Sequence, residues 1–470
     1  MRLLTDLYDY QAQAVDKLSR VKVGALYMEM GTGKTRTALE LIQRRLQAGK
    51  VQQALWMCPY SVSRDLPELL AEHAEDFESV IRIAGIESLS NSTRIYGELL
   101  CYVRSKPTFL VVDESLLVKN PFAYRTERVL EISRECSYKL ILNGTPISRN
   151  EADLFAQWNI LDWRILGYRS YYSFAANHLE MDVNRPGRIV RVLNTEYLAR
   201  KIMPYTFQCS KADVLNLPKK IYDTETFYLT HKQDVHYAQI SDALLEQIDE
   251  RRPDTIYRLL GAMQAITSGF RVELSKDGKH STTSPFFDHW EQNPRMRALS
   301  AAARTIGNEQ AVIYCRYIQE IDDILDMLSG RGIAFDGRMS ASKRQESKTA
   351  FKRGDVQFLV ANKSCAQFGL NLQFCRNEIF YSNDWDWGTR AQAEDRVHRA
   401  GQTREVKIWD VYAKDTLDCV VLKCLQRKES LSDYLKRQIA CYNNIKNALR
   451  VALHDQIEEG NADGKNISAC

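Results

Sequence analysis

The chain has little of several features that would narrow its class. Its eleven cysteines form no CxxC pair, the closest two being Cys419 and Cys424, and no histidine falls at ligand spacing beside them. That excludes a disulfide-stapled scaffold and a zinc module, and the expectation is reduced thiols in the core or on the surface. The eight histidines are scattered, and each reads as a satisfied or solvated side chain. No uncharged stretch approaches the ~18 residues a membrane span needs. Asp6 and Asp9 interrupt the start before an apolar leader core can form, so a secretory signal is not expected and a cytoplasmic location is. Charge of one sign is also scarce: 64 Lys and Arg against 60 Asp and Glu leave +4 over 470 residues. A uniformly basic coat is excluded, so any nucleic-acid surface must be a local patch. Solenoid repeats and low-complexity blocks are absent.

What is present is a βαβ rhythm. Gly24–Tyr27, Ala54–Met57, Phe109–Val112 and Lys139–Leu142 are short apolar runs, with a helical pattern over Thr35–Ala48. A second block carries Ala311–Tyr314, Phe358–Ala361, Glu378–Tyr381 and Val406–Trp409. The spacing predicts an α/β protein with two parallel-sheet lobes. Helices are expected over Asp234–Gln247 and Thr255–Ile266, with two hairpins. One runs over Leu179–Leu193 around Asn184–Arg188; the other turns at Lys276–Lys279. Either could be a strand-separating pin or an ordinary surface hairpin. Tyr168, Tyr171 and Tyr172 are expected in the core.

Met30-Gly31-Thr32-Gly33-Lys34-Thr35 follows a strand and opens a helix, the context of a phosphate-binding loop. Glycines let backbone N–H groups curl around phosphate oxygens, Lys34 neutralises the β/γ charge and Thr35 can hold Mg²⁺. Met28 stands where the usual pattern begins with glycine. Downstream, the run Phe109–Val112 ends in Asp113-Glu114, an acidic pair suited to ligating Mg²⁺ and polarising water. Together these predict an NTPase. Gln392, Arg396 and Arg399 share one face if Gln392–Arg399 is helical, a solvated stripe or a set of arginine fingers.

At this point the chain resembles a superfamily-2 helicase of the Swi/Snf-like branch, in the compact form many bacteriophages encode. Tyr10-Gln11 resembles the adenine-reading Q motif, Glu29–Thr35 motif I, Met57-Cys58-Pro59-Tyr60-Ser61 motif Ia, and Asp113-Glu114-Ser115-Leu116 with Lys119-Asn120-Pro121 motif II and its follower. Asn143-Gly144-Thr145-Pro146 resembles motif III, Val312–Cys315 motif IV, Gly369-Leu370-Asn371-Leu372 motif V, and Asp395–Gln402 motif VI. Leu217-Pro218-Lys219-Lys220 and Asn293-Pro294-Arg295 resemble the branch's linker landmarks.

The resemblance implies two RecA-like lobes, with lobe 1 over 1–215, a linker with helical insertion over 216–290, lobe 2 over 291–418, a helical extension over 419–457 and a disordered tail over 458–470. It implies ATP and Mg²⁺ as cofactors. Catalysis falls to Lys34, Asp113, Glu114, Gln392, Arg396 and Arg399, and nucleotide binding to Gln11, Gly31, Thr32, Gly33, Lys34, Thr35 and Gly369, with Mg²⁺ on Thr35 and Asp113. DNA contacts fall to Pro59, Tyr60, Lys119, Thr145, Arg185, Arg188, Arg316, Arg338 and Asn371. Leu116 replaces the histidine of DEAH-type proteins, so coupling of motif II to motif III must run through Ser115, Gln392 or another group. Phe207–Lys211 lacks the paired arginines of nucleosome remodellers.

Motifs II, III and VI differ from those of DEAD-type RNA helicases, which favours DNA. The expected function is an ATP-driven motor on forked or branched DNA, working by strand separation or branch migration. Alternatives are a duplex translocase that displaces proteins and an ATP-gated DNA-binding subunit of a restriction or recombination complex. Expected partners are DNA and replication or recombination proteins, with no membrane and a monomeric chain; a phage origin would place it in a host bacterial cytoplasm.

Overall fold

A computed structural model describes residues 1–144, 151–182, 189–246, 254–274, 281–362 and 370–441. It divides into two compact units, Met1–Leu217 and Pro218–Cys470. The expected tail over 458–470, Gly369 and both hairpin turns lie outside the described residues.

The first unit holds a six-stranded sheet, in spatial order Thr206–Cys209, Val23–Met28, Tyr138–Asn143, Thr108–Val112, Gln53–Cys58 and Ile81–Gly85. Every neighbouring pair is parallel. Helices cover both faces, so the strands are apolar at almost every position instead of alternating with polar residues. Ala25, Tyr27, Leu110 and Val112 pack into one core; Leu26, Met28, Val111 and Trp56 pack into another on the opposite face. The sequence reading missed Ile81–Gly85 and Thr206–Cys209 because edge strands are short and only partly buried.

The second unit repeats the design in the order Lys220–Phe227, Val406–Ala413, Asn377–Phe380, Ala311–Cys315, Phe358–Asn362 and Gly332–Phe335, again all parallel. Lys220–Phe227 falls where a linker was expected; its mostly polar, largely exposed sequence suits an edge strand. Helices His231–Glu246 and Asp254–Thr267 pack on Leu417–Gln426 and Leu431–Cys441 to form a separate core. Insertion and extension, read from sequence as separate stretches, therefore form one helical layer. Arg295, fully buried, clamps it: its guanidinium ion-pairs Asp418 and donates to Tyr381 O at 2.8 Å.

The expected first hairpin is present as Leu179–Met181 paired antiparallel with Ile189–Val192, apart from the main sheet. Its base is held by buried His178, whose ring nitrogens meet Leu193 O and Tyr168 Oη, each at 3.1 Å. Tyr168 and Tyr171 pack on the core as expected. Tyr172 does not: 73% exposed, it stands beside Phe122, itself 64% exposed. A helix of eight residues buries one side, and Phe174 and His178 occupy it.

Candidate active site

The strand Val23–Met28 ends at the loop that opens helix Lys34–Gln47, so the loop's N–H groups and the helix dipole converge where an anion would sit. Gly31 and Gly33 have φ of +78° and +83°, left-handed values that a side chain would strain. At Gly33 the requirement is doubled, because a Cβ there would lie 2.2 Å from Gln11 Nε2. Gln11 accepts from Tyr8 N–H and donates to Thr32 O, each at 3.0 Å; Tyr10 Oη donates to the same carbonyl at 2.9 Å. The Q-motif residues thus brace the phosphate loop. Lys34 Nζ is held 2.7 Å from Met28 O, the position where the common pattern has glycine. Only the carbonyl of residue 28 is used, so the buried Met28 side chain is free to pack in the core.

Asp113 and Glu114 follow the strand Thr108–Val112, which Tyr138–Asn143 separates from Val23–Met28, and they too stand at a C-terminal strand end. Asp113 N–H donates to Met57 O at 2.7 Å, tying motif II to motif Ia. Glu114 adopts φ +49°, a left-handed conformation that is costly for a non-glycine residue and marks a functional constraint. Burial, with the Glu114 carboxylate beside it, pushes Asp113 up to about 7, against the pull of Lys34. The adjacent carboxyl groups of Asp113 and Glu114 form a donor set suited to a divalent cation, and Thr35 makes no side-chain hydrogen bond among the described residues. The residues fit Mg²⁺, with Asp113 and Thr35 as holders; the ion would supply charge neutralisation at the phosphates.

Ser115 carries the link expected in place of the missing histidine. It donates to Gln157 Oε1 at 2.6 Å and accepts from Asn143 Nδ2, the first residue of motif III, at 3.4 Å. Gln157 had no sequence signal, since it sits in an apolar helix, Ala152–Leu166, that carries no motif.

The proposed DNA residues divide. Tyr60 is 52% exposed and its N–H donates to Glu87. Pro59, beside it in motif Ia, is half-buried. Lys119 lies 3.6 Å from Asp153. In the second unit Arg316 pairs with Asp384 at 3.0 Å and lies 3.8 Å over Trp385, while Arg338 is clamped between Asp322 and Asp336 at 2.8 Å each. Asn371 keeps a buried Oδ1 without a hydrogen-bond partner among the described residues. Thr145, Arg185, Arg188 and Gly369 lie outside the described residues.

Motif VI departs from the expected single helical face. Helix Trp387–Val397 carries Gln392 and Arg396, but it ends before Arg399, which lies in the following turn. His398 has ψ +80°, which breaks the helix, and its Nε2 meets Pro218 O at 2.8 Å. The same helix builds a network that the sequence did not reveal. Arg390 pairs with Asp410 and Glu394 at 2.6 and 2.7 Å and lies 3.5 Å over Phe380. Glu394 also receives Lys220 Nζ and Tyr222 Oη, which ties strand Lys220–Phe227 to motif VI.

Three family models match the chain. The SNF2-related domain family matches residues 68–267, the Helicase conserved C-terminal domain 295–401, and the type III restriction enzyme res subunit family 4–89. The SNF2-related and Helicase C-terminal matches, in that order along the chain, support a Swi/Snf-like protein of superfamily 2. It is 23% identical to the SWI/SNF-related matrix-associated actin-dependent regulator of chromatin subfamily A-like protein 1 of Drosophila melanogaster, over 86% of this chain and 52% of that protein. It is 23% identical to an uncharacterized ATP-dependent helicase of Mycoplasma genitalium, over 91% of this chain and 42% of that one. The chain thus spans about half or less of the length of these curated relatives. Among solved structures, the Sulfolobus solfataricus SWI2/SNF2 ATPase core in complex with dsDNA aligns at 22% identity and TM-score 0.41, covering 91% and 92% of the two chains.

Proposed function

We propose that this Swi/Snf-like protein is an ATP-driven DNA motor that remodels forked or branched DNA. The observation that carries the motor reading is the braced loop of Gly31–Thr35 together with Asp113-Glu114, at the C-terminal ends of two strands of one parallel sheet. In such a site Lys34 and the loop N–H groups hold the triphosphate, Glu114 orients and deprotonates the attacking water, and the motif VI arginines stabilise charge on the transferring phosphoryl. Ser115 carries a change at the acidic pair to Asn143 and from there to motif III.

The fork reading rests on the hairpin Leu179–Val192. A base locked by His178 and a strand pair bearing exposed Met181 and Val190 suit a rigid wedge. Shortening residues 183–188 is expected to spare ATP turnover on single-stranded DNA and abolish processing of forks and four-way junctions. Equal losses on every DNA would make the hairpin a structural element and leave duplex translocation as the activity.

A further inference from the structure

The first unit contains a cavity of about 480 Å³ that the nucleotide site does not use. Arg134 ends the helix Tyr124–Arg134 and Lys139 is the second residue of the strand Tyr138–Asn143, whose far end carries motif III. The cavity therefore lies at the N-terminal edge of a parallel sheet whose C-terminal edge holds the phosphate loop. Its wall exists because Asp162 leaves helical geometry, at φ −167° and ψ 115°, inside the helix Ala152–Leu166. That break exposes Leu161 O, which accepts Lys139 Nζ at 2.9 Å.

Four cations line the space, Arg134, Lys139, Arg164 and Arg169, against one carboxylate, Asp162. Arg164 already takes up that carboxylate at 2.8 Å, and Arg169 lies flat on Trp163, 4.3 Å from its centre. Lys139 is half-buried, and burial pushes its ammonium below the ordinary lysine value, as do Arg164 and Arg134. Crowding like charges in a partly desolvated space is unfavourable until an anion enters it. Guanidinium forks match phosphate oxygens, and Arg134 and Arg169 reach into solvent, where a long polyanion can meet them without threading the cavity.

We propose that this cavity is a second phosphate-binding site, which takes the backbone of DNA beyond the stretch the motor itself grips. The proposal rests on the DNA-motor reading. Binding to short and long duplexes is measured against salt for the full-length protein, the Arg134→Gln/Arg169→Gln double variant and Lys139→Met, with thermal melts verifying that each folds. On long duplex the double variant should bind more weakly, with the slope of log affinity against log salt lower by ~2, at ~0.9 per lost phosphate contact. ATP turnover at saturating DNA should stay at the wild-type rate. An unchanged slope on long duplex overturns the proposal, and so does a pyrophosphate-binding cavity whose variants bind DNA normally, which would make it a small-anion site. A wild-type protein that binds no DNA would instead overturn the motor reading and this site with it.

Discussion

Ser115 donates to Gln157 at 2.6 Å and accepts from Asn143, so one hydroxyl joins motif II, motif III and a buried helix. DEAH-type proteins make this link with histidine, and Leu116 stands in that place. Ser115→Ala should therefore leave ATP affinity near wild type and lower DNA-stimulated turnover about tenfold, the effect of a ~1.4 kcal/mol interaction. Steady-state kinetics with and without DNA measures it; a proportional loss in both conditions would assign Ser115 a purely structural role.

The phosphate loop gives the second expectation. Lys34→Ala removes neutralising charge and Glu114→Gln removes the base, and each should cut turnover by ~10²-fold or more. Glu114→Gln should still bind nucleotide, as read by fluorescent ATP analogues. Wild-type turnover in either variant would contradict the site.

Arginine fingers act in the transition state, so Arg396→Ala and Arg399→Ala should lower kcat by ~10³-fold while changing nucleotide affinity little. A raised KM at unchanged kcat would make these arginines binding residues. The break at His398 places the two on different backbone geometries, so their losses need not be equal.

Glu378 supplies a prediction in pH. Fully buried on the strand Asn377–Phe380, it has no hydrogen-bond partner on either carboxylate oxygen among the described residues. Burial, with Glu394 nearby, raises its carboxyl well above the ordinary value. A carboxyl raised on folding costs nothing below its unfolded value of ~4.3 and destabilises increasingly as pH rises above it. Glu378→Gln should therefore gain stability over wild type between pH 4.5 and pH 7 on denaturant melts, by more than ~1 kcal/mol per pH unit over the steep part. A gap independent of pH would show that Glu378 is ionised and paired.

Strands buried on both faces were legible because short, near-continuous apolar runs bounded by turn residues suit a segment covered on both sides. The phosphate loop and acidic pair were legible because phosphate chemistry restricts which residues can serve. Edge strands such as Lys220–Phe227 were not, since a mostly polar, exposed run also fits a loop. Gln157, Arg390 and Asp410 act through partners far away in sequence, and no local pattern marks a residue whose role is set by tertiary contact. The motif VI face failed for a local reason: the helix stops at Val397, and Arg399 lies just beyond the His398 break.

The most direct test of the central claim is a triplex-displacement assay run alongside ATP turnover on single-stranded, duplex, forked and four-way DNA. A motor working on branched DNA should show turnover stimulated by DNA, third-strand displacement that requires hydrolysis and is lost in Glu114→Gln, and the largest structural conversion on forks or junctions. Turnover that DNA does not change, or displacement that proceeds in Glu114→Gln as in wild type, would contradict it.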